Sequence, residues 1–388
     1  MAIPAELKPV IAELMRRHPQ LQDAPDEMLL ELVFRAIGAQ QNGQIPAVME
    51  TIDIEKLSAE ECGRYGERFR MTGQWEEAER LLLAALEKGE QANDLRGQCK
   101  AIFQLGELCR NRGDFSQAMA LSQRALGLAE RLGDRYLTGV SYDAIGSNHR
   151  RLGRYPESIE YYKKSLRIFL ENADGPRAAI EYGNLGLAYR SEGEFELAID
   201  AYENARQLFV KAGDEVSAGK TMGNLGGVFA AQGRYERAAE MYQKDLQILL
   251  RNNDQQGAAI AYANLAVLER EQGDFESATR MIQKALEISE RIGDEPTTAS
   301  SYAILAIVYE RKGDVARALE CHRKALNFQE RVGDQHGAAF SYSNLGYLYQ
   351  SLGEQTQART YLERAKALFE IVGDAPRARQ AARALRGL

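Results

Sequence analysis

The residues best suited to chemistry stand forty positions apart. Asn184, Asn224 and Asn264 follow one another at 40-residue steps, Asn344 continues the series after a gap, and Gln104 holds the equivalent slot upstream. An amide side chain is both donor and acceptor, so a row of amides can hold the backbone of an extended peptide whatever its side chains. Such amides can equally bond to a neighbouring helix and specify stacking, and the sequence leaves both readings open. Small residues stand directly before them, Gly183, Gly223, Ala263 and Ser343, which leaves room for a chain to lie close. A second row is basic: Arg110, Arg150, Arg190 and Arg270, interrupted at Ala230, with Arg151 and Arg311 nearby. It can guide acidic residues of a ligand, although arginines in the last turn of a helix also favour the negative end of its dipole.

Bond-making chemistry finds no comparable set. His18, His149, His322 and His336 are scattered, and none has a second histidine or a cysteine at metal-ligand spacing. His322 follows Cys321 directly, but adjacent residues on a helix point apart. Phosphate-loop and nucleophile-elbow patterns are absent, and the run Gly223 to Gly227 lies inside a helical pattern rather than on a strand-to-helix turn. The reading is of a protein that is not an enzyme and needs no metal or cofactor.

The elements that must position these rows announce themselves by repetition. Glycine recurs at Gly73, Gly113, Gly153, Gly193, Gly233, Gly273, Gly313 and Gly353, and aspartate at Asp94, Asp134, Asp174, Asp214, Asp254, Asp294, Asp334 and Asp374, each series stepping by 40 without an insertion. Each glycine closes a first helix, A, in the left-handed conformation that only glycine adopts without steric cost. An aromatic residue then opens helix B at Trp75, Phe115, Tyr155, Phe195, Tyr235 and Phe275. Helix B ends on a second left-handed stop, glycine or asparagine in seven units and Ala173 in the other. The aspartate that follows is placed to cap the next helix A. Pro176, Pro296 and Pro376 fall in the first turn, where a missing N–H costs nothing. Inside the helices, Tyr182, Leu185, Gly186 and Tyr189 form one apolar stripe, and Ala198, Tyr202 and Ala205 the matching one, with the tyrosines and leucines assigned to the core.

The totals agree. The 388 residues exceed a typical single core and carry a formal net charge of -7, so no global field gathers nucleic acid or an anionic membrane. No apolar run approaches membrane-spanning length and no amino-terminal leader is visible, which points to the cytoplasm. Cys62, Cys99, Cys109 and Cys321 are too few and irregular for a disulfide framework and read as small buried fillers.

The motif formed by Tyr182, Leu185, Gly186, Tyr189, Gly193, Phe195, Ala198 and Ala205 resembles the tetratricopeptide repeat. The likeness runs over residues 59–378 as eight units: 59–98, 99–138, 139–178, 179–218, 219–258, 259–298, 299–338 and 339–378. Each has 40 residues against about 34 in the common form, similar to the long repeats of kinesin light chains, Pins-type adaptors and some bacterial regulators. The resemblance implies an all-α fold, a right-handed superhelix of eight hairpins whose A helices line a concave groove, with helical caps at both ends. It places the amide and arginine rows on that groove. A third, apolar set joins them there, Leu187, Ile260, Val267, Ile307, Phe340 and Tyr347, and exposed apolar side chains usually mean a partner. Lys220 stands where a lysine would clamp a terminal carboxylate, but the second basic position holds Asn224.

Residues 1–58 break the rule, with helices expected at Ala5 to Arg17 and Pro25 to Gln41 serving as a cap or as a regulatory or dimerising element. A short capping helix from Pro376 to Leu388, carrying Arg377, Arg379, Arg383 and Arg386, is expected to end the chain, with 379–388 lying beyond the last repeat. The function expected is a protein–protein interaction adaptor holding a peptide segment of a partner in the groove. The alternatives are a self-assembling scaffold, consistent with a homo-oligomer, or a sensor of a signalling peptide or small molecule.

Overall fold

The computed structural model describes residues 54–71 and 74–388. The expected amino-terminal helices and the stop at Gly73 lie outside them. Among the described residues the chain forms seventeen α-helices, a short 3-10 turn at Ile54–Lys56 and no strand. Sixteen helices alternate as A and B: α1 (Ala59–Met71) with α2 (Trp75–Gln91), α3 (Leu95–Arg112) with α4 (Phe115–Leu132), α5 (Arg135–Arg151) with α6 (Tyr155–Glu171), and α7 (Gly175–Glu192) with α8 (Phe195–Lys211). There follow α9 (Glu215–Ala231) with α10 (Tyr235–Arg251), α11 (Gln255–Glu271) with α12 (Phe275–Ile292), α13 (Glu295–Arg311) with α14 (Val315–Arg331), and α15 (Gln335–Ser351) with α16 (Gln355–Ile371). The last helix is α17 (Ala375–Arg386).

The punctuation follows from the residues that carry it. Seven of the eight A-to-B glycines are described, and all have positive φ, from 71° at Gly153 to 89° at Gly193. The B-to-A stops are left-handed too, including the three that are not glycine, Asn93, Ala173 and Asn253. All eight aspartates then cap an A helix, the carboxylate of Asp254, for example, accepting from the Gly257 N–H at 2.8 Å. Ser58 and Glu61 open α1 with a reciprocal capping box, Ser58 N–H donating to Glu61 Oε2 at 2.8 Å and Glu61 N–H to Ser58 Oγ at 3.2 Å.

The packing falls into two compact units, Met1–Ile145 and Gly146–Leu388, with the division inside α5. In the first, Phe69, Leu81, Leu82, Ile102 and Leu108 form a core into which Cys62 and Cys99 are sealed. All four cysteines are free and buried, as their spacing implied. In the second, each B helix packs on its own A helix and on the next one, and neighbouring A helices also touch, α7 with α9, α9 with α11 and α11 with α13. A single hairpin cannot bury its apolar face, so the faces are shared along the stack. Fully burying one leucine or phenylalanine contributes about 1.5–3 kcal/mol.

Closest approach within a hairpin depends on missing side chains. A Cβ on Gly186 would stand 2.8 Å from the Tyr202 ring, and one on Gly226 2.9 Å from that of Tyr242. Leu185, Ala198, Tyr202 and Ala205 are buried as the stripe predicted, whereas Tyr182 and Tyr189 are only half-buried. A tyrosine on helix A can tilt its hydroxyl to water while its ring covers the core, and a tyrosine on helix B, facing a glycine, cannot.

Gly226→Ala should therefore lower stability by about 1–3 kcal/mol, the usual cost of overpacking. Ala173→Gly should raise it by up to about 1 kcal/mol, by removing a Cβ from a left-handed site. Thermal denaturation checks both; an unchanged midpoint for Gly226→Ala would show that the Tyr242 contact is not tight.

Candidate functional site

The A helices carry the amide row as the sequence spaced it. In the unit Gly146–Leu388, Asn184 on α7, Asn224 on α9, Asn264 on α11 and Asn344 on α15 are all half-buried. The side chains of Asn224, Asn264 and Asn344 form no hydrogen bond with any described residue. Gln104, in the other unit, donates to Glu67 Oε2 at 3.1 Å and ties α3 to α1. One amide thus serves stacking, and three keep their donors and acceptors unused among the described residues.

The arginine row divides in the same way. Arg110 pairs with Glu107 at 2.8 Å and Arg270 with its neighbour Glu271 at 2.5 Å. Arg150 and Arg190 form no ion pair with a described residue. Arg190 reaches α9, where its Nη1 lies 2.5 Å, and the Tyr242 hydroxyl 3.5 Å, from the point a Cβ on Gly227 would occupy. Tyr202 of α8 is fully buried. Burial pushes its phenol up to about 12, against the pull of Arg190 and Arg150.

Lys220 is committed elsewhere. Its ammonium meets Asp254 Oδ2 at 2.8 Å, the same carboxylate that caps α11, so it is not a free half of a carboxylate clamp. Beside it Asp245 of α10 is only 5% exposed, and a Cβ on Gly223 would stand 2.4 Å from its Oδ2. Asp245 Oδ1 has no hydrogen-bond partner. Burial pushes this carboxyl up to about 7, with Lys220 drawing it down and Asp254 up.

The apolar set is dispersed in character. Ile260 is 45% exposed, while Val267, Ile307 and Tyr347 are half-buried. Leu187 packs against the cluster around Tyr202 and Leu225. Phe340 meets Phe369 edge-on, with ring centroids 5.4 Å apart, and the Arg377 guanidinium covers its ring at 4.4 Å, so it serves the junction with α17.

Two residues escaped the sequence reading. Ile180, 42% exposed, shares the slot of Lys220 and Ile260 one repeat earlier, and extending that row upstream would have found it. Asp245 occupies a slot filled elsewhere by Ala85, Ala125, Ser165, Ala205, Ala285, Ala325 and Ala365, and an acid among alanines was the available signal.

Comparison with known proteins agrees with this architecture. A family model described as a MalT-like TPR region matches residues 151–332, and a tetratricopeptide repeat model matches 97–171 and 297–371. No curated protein matches the sequence. Among solved structures, a Rap protein complexed with competence and sporulation factor superposes with a TM-score of 0.60 at 13% identity, covering 94% of this chain and 99% of that one. Aspartyl phosphate phosphatase F from Bacillus subtilis gives 0.57 at 14% identity, covering 97% of each chain. The apo quorum sensor NprR from B. thuringiensis gives 0.57 at 17% identity, covering 94% of this chain and 99% of that one. At such identities the likeness is one of fold. No helix among the described residues is long and apolar enough to cross a membrane.

The Asp245 carboxyl yields a pH dependence of known sign. Its folded value lies above the ordinary 3.8, so between these values the folded chain holds a proton that the unfolded chain has released. This contribution to stability is complete below about pH 4 and is lost as pH rises through about 7. Asp245→Asn should melt with a shallower decline between pH 5 and pH 8 than the wild-type chain, by on the order of a few kcal/mol. Equal slopes in thermal melts would contradict the assignment.

Proposed function

The chain is a tetratricopeptide-repeat protein, and on that premise we propose that it is a non-catalytic adaptor or sensor binding an extended peptide segment along its A helices. The observation that carries the reading is the set Asn224, Asn264 and Asn344, half-buried amides whose hydrogen-bonding groups have no partner among the described residues. A peptide backbone supplies their complement at every residue, and the small Gly223, Ala263 and Ser343 beside them let it approach.

The shared fold supports the same reading, since the Rap protein was solved with competence and sporulation factor and NprR is a quorum sensor. Partners of this chemistry are a segment of another protein or a free signalling peptide. Neither requires a cofactor or the -7 chain to attract nucleic acid.

A peptide selected from a random library on the wild-type chain should bind the Asn224→Ala, Asn264→Ala, Asn344→Ala variant at least about tenfold more weakly, three lost hydrogen bonds at about 1 kcal/mol each being more than sufficient. Fluorescence anisotropy reads the affinity and circular dichroism the fold. Unchanged affinity with an intact fold would sink the groove model.

A further inference from the structure

The arginine row has an internal difference that helix dipoles do not explain. All four arginines stand in the last turn of an A helix, where the dipole favours a cation. That holds equally for Arg110 and Arg270, which have glutamate partners, and for Arg150 and Arg190, which have no ion-pair partner among the described residues. Both guanidiniums are half-buried with no carboxylate among the described residues to neutralise them, and Arg150 Nε is buried without a hydrogen-bond partner.

The surroundings of this pair are built around it. The slot of Gly227 holds Leu187, Val267, Ile307 and Tyr347 in other repeats, and Arg190 Nη1 lies 2.5 Å from where a Cβ at 227 would be. The guanidinium therefore rests in space that any other side chain would fill. The Tyr202 hydroxyl, fully buried, has no hydrogen-bond partner among the described residues, and the Tyr242 hydroxyl lies close to the same empty position. Both guanidiniums lie near enough to the Tyr202 phenol to draw it down against burial. The next position in the row is Ala230, so the pair ends the positive charge there.

We infer that Arg190, seated at the Gly227 position, and Arg150 of the preceding repeat form an anion subsite for a carboxylate or phosphoryl group carried by the segment bound along the A helices. The inference rests on the peptide-binding reading for its ligand, but the subsite itself needs only an anion. Guanidinium forks bind such planar or tetrahedral oxygen groups through charge-assisted hydrogen bonds. Arg110 and Arg270, already neutralised, contribute little.

Two probes test it on the full chain. Inorganic phosphate should raise the melting midpoint of the wild-type chain and of an Arg110→Gln, Arg270→Gln variant, but not that of Arg150→Gln, Arg190→Gln. Three versions of one library-selected peptide, bearing glutamate, phosphoserine or glutamine at a single position, separate the two anion sources. The anionic forms should bind the wild-type chain about tenfold or more tightly than the glutamine form. That ratio should fall to about one in Arg150→Gln, Arg190→Gln and persist in Arg110→Gln, Arg270→Gln. Gly227→Ala, which leaves both arginines in the sequence but fills the seat of Arg190, should also lower the ratio and guards against a folding defect in the double variant. A ratio that survives in Arg150→Gln, Arg190→Gln, or that falls equally in both double variants, overturns the subsite. A phosphate shift without binding of any peptide would uphold the subsite and refute the groove. Binding of all three peptides alike, with no phosphate shift, would do the reverse.

Discussion

One residue type at one spacing sets the geometry of the whole array. At each B-to-A junction the backbone N–H of the aspartate closes the helix behind it while its carboxylate opens the helix ahead. Asp254 donates to the Leu249 carbonyl at 2.9 Å and accepts from Gly257 at 2.8 Å. The residue before it is left-handed each time, with φ between 53° at Asn93 and 78° at Gly373. A longer or freer junction would let successive A helices rotate independently, and residues forty apart would lose their common face. The amide and arginine rows exist only because the junction does not vary.

That regularity is why so much of the fold could be read from the chain. Gly193, Ala173 and Asp174 each have a local role that follows from backbone sterics and capping, so the spacing of such residues gives helix ends and hairpin order directly. Burial followed less completely. Tyr189 and Tyr202 belong to the same motif, yet only Tyr202 is sealed, because only it faces a glycine across the hairpin. What lay beyond the sequence was the use of each functional group. Arg110 and Arg150 occupy equivalent slots, and whether a guanidinium is already paired depends on the position of one glutamate, Glu107. Phe340 and Ile260 likewise share a slot, and the nearness of α17 draws one of them into packing.

Charge on the A-helix face is accordingly local. Lys220, Asp254 and Asp245 cluster around α9 and α11, where the lysine is balanced by carboxylates and burial keeps one of them in reach of a proton near neutral pH. Arg190 and Arg150 lie one and two hairpins before α9 with no such balance among the described residues. A chain whose summed charge is -7 thus holds a positive locus and an acidic one on neighbouring repeats. The sum predicted neither.

The glycines at the hairpin contacts have a consequence for assembly as well as for packing. Repeats joined by identical loops invite a B helix to dock in the wrong hairpin, a hazard common to repeat proteins. Here the contact pairs differ in size: Gly186 faces Tyr202 and Gly226 faces Tyr242, while the corresponding slots one repeat on hold Ala266 and Ile282. A Cβ at Gly226 would come within 2.9 Å of the Tyr242 ring, and Ala266 carries just such a methyl. The mispaired helices would collide where the matched ones interlock. Side-chain volume at this slot therefore acts as a coarse pairing code: Gly146, Gly186 and Gly226 all admit a tyrosine, and the code changes at Ala266, where the tyrosine-bearing B helices are excluded.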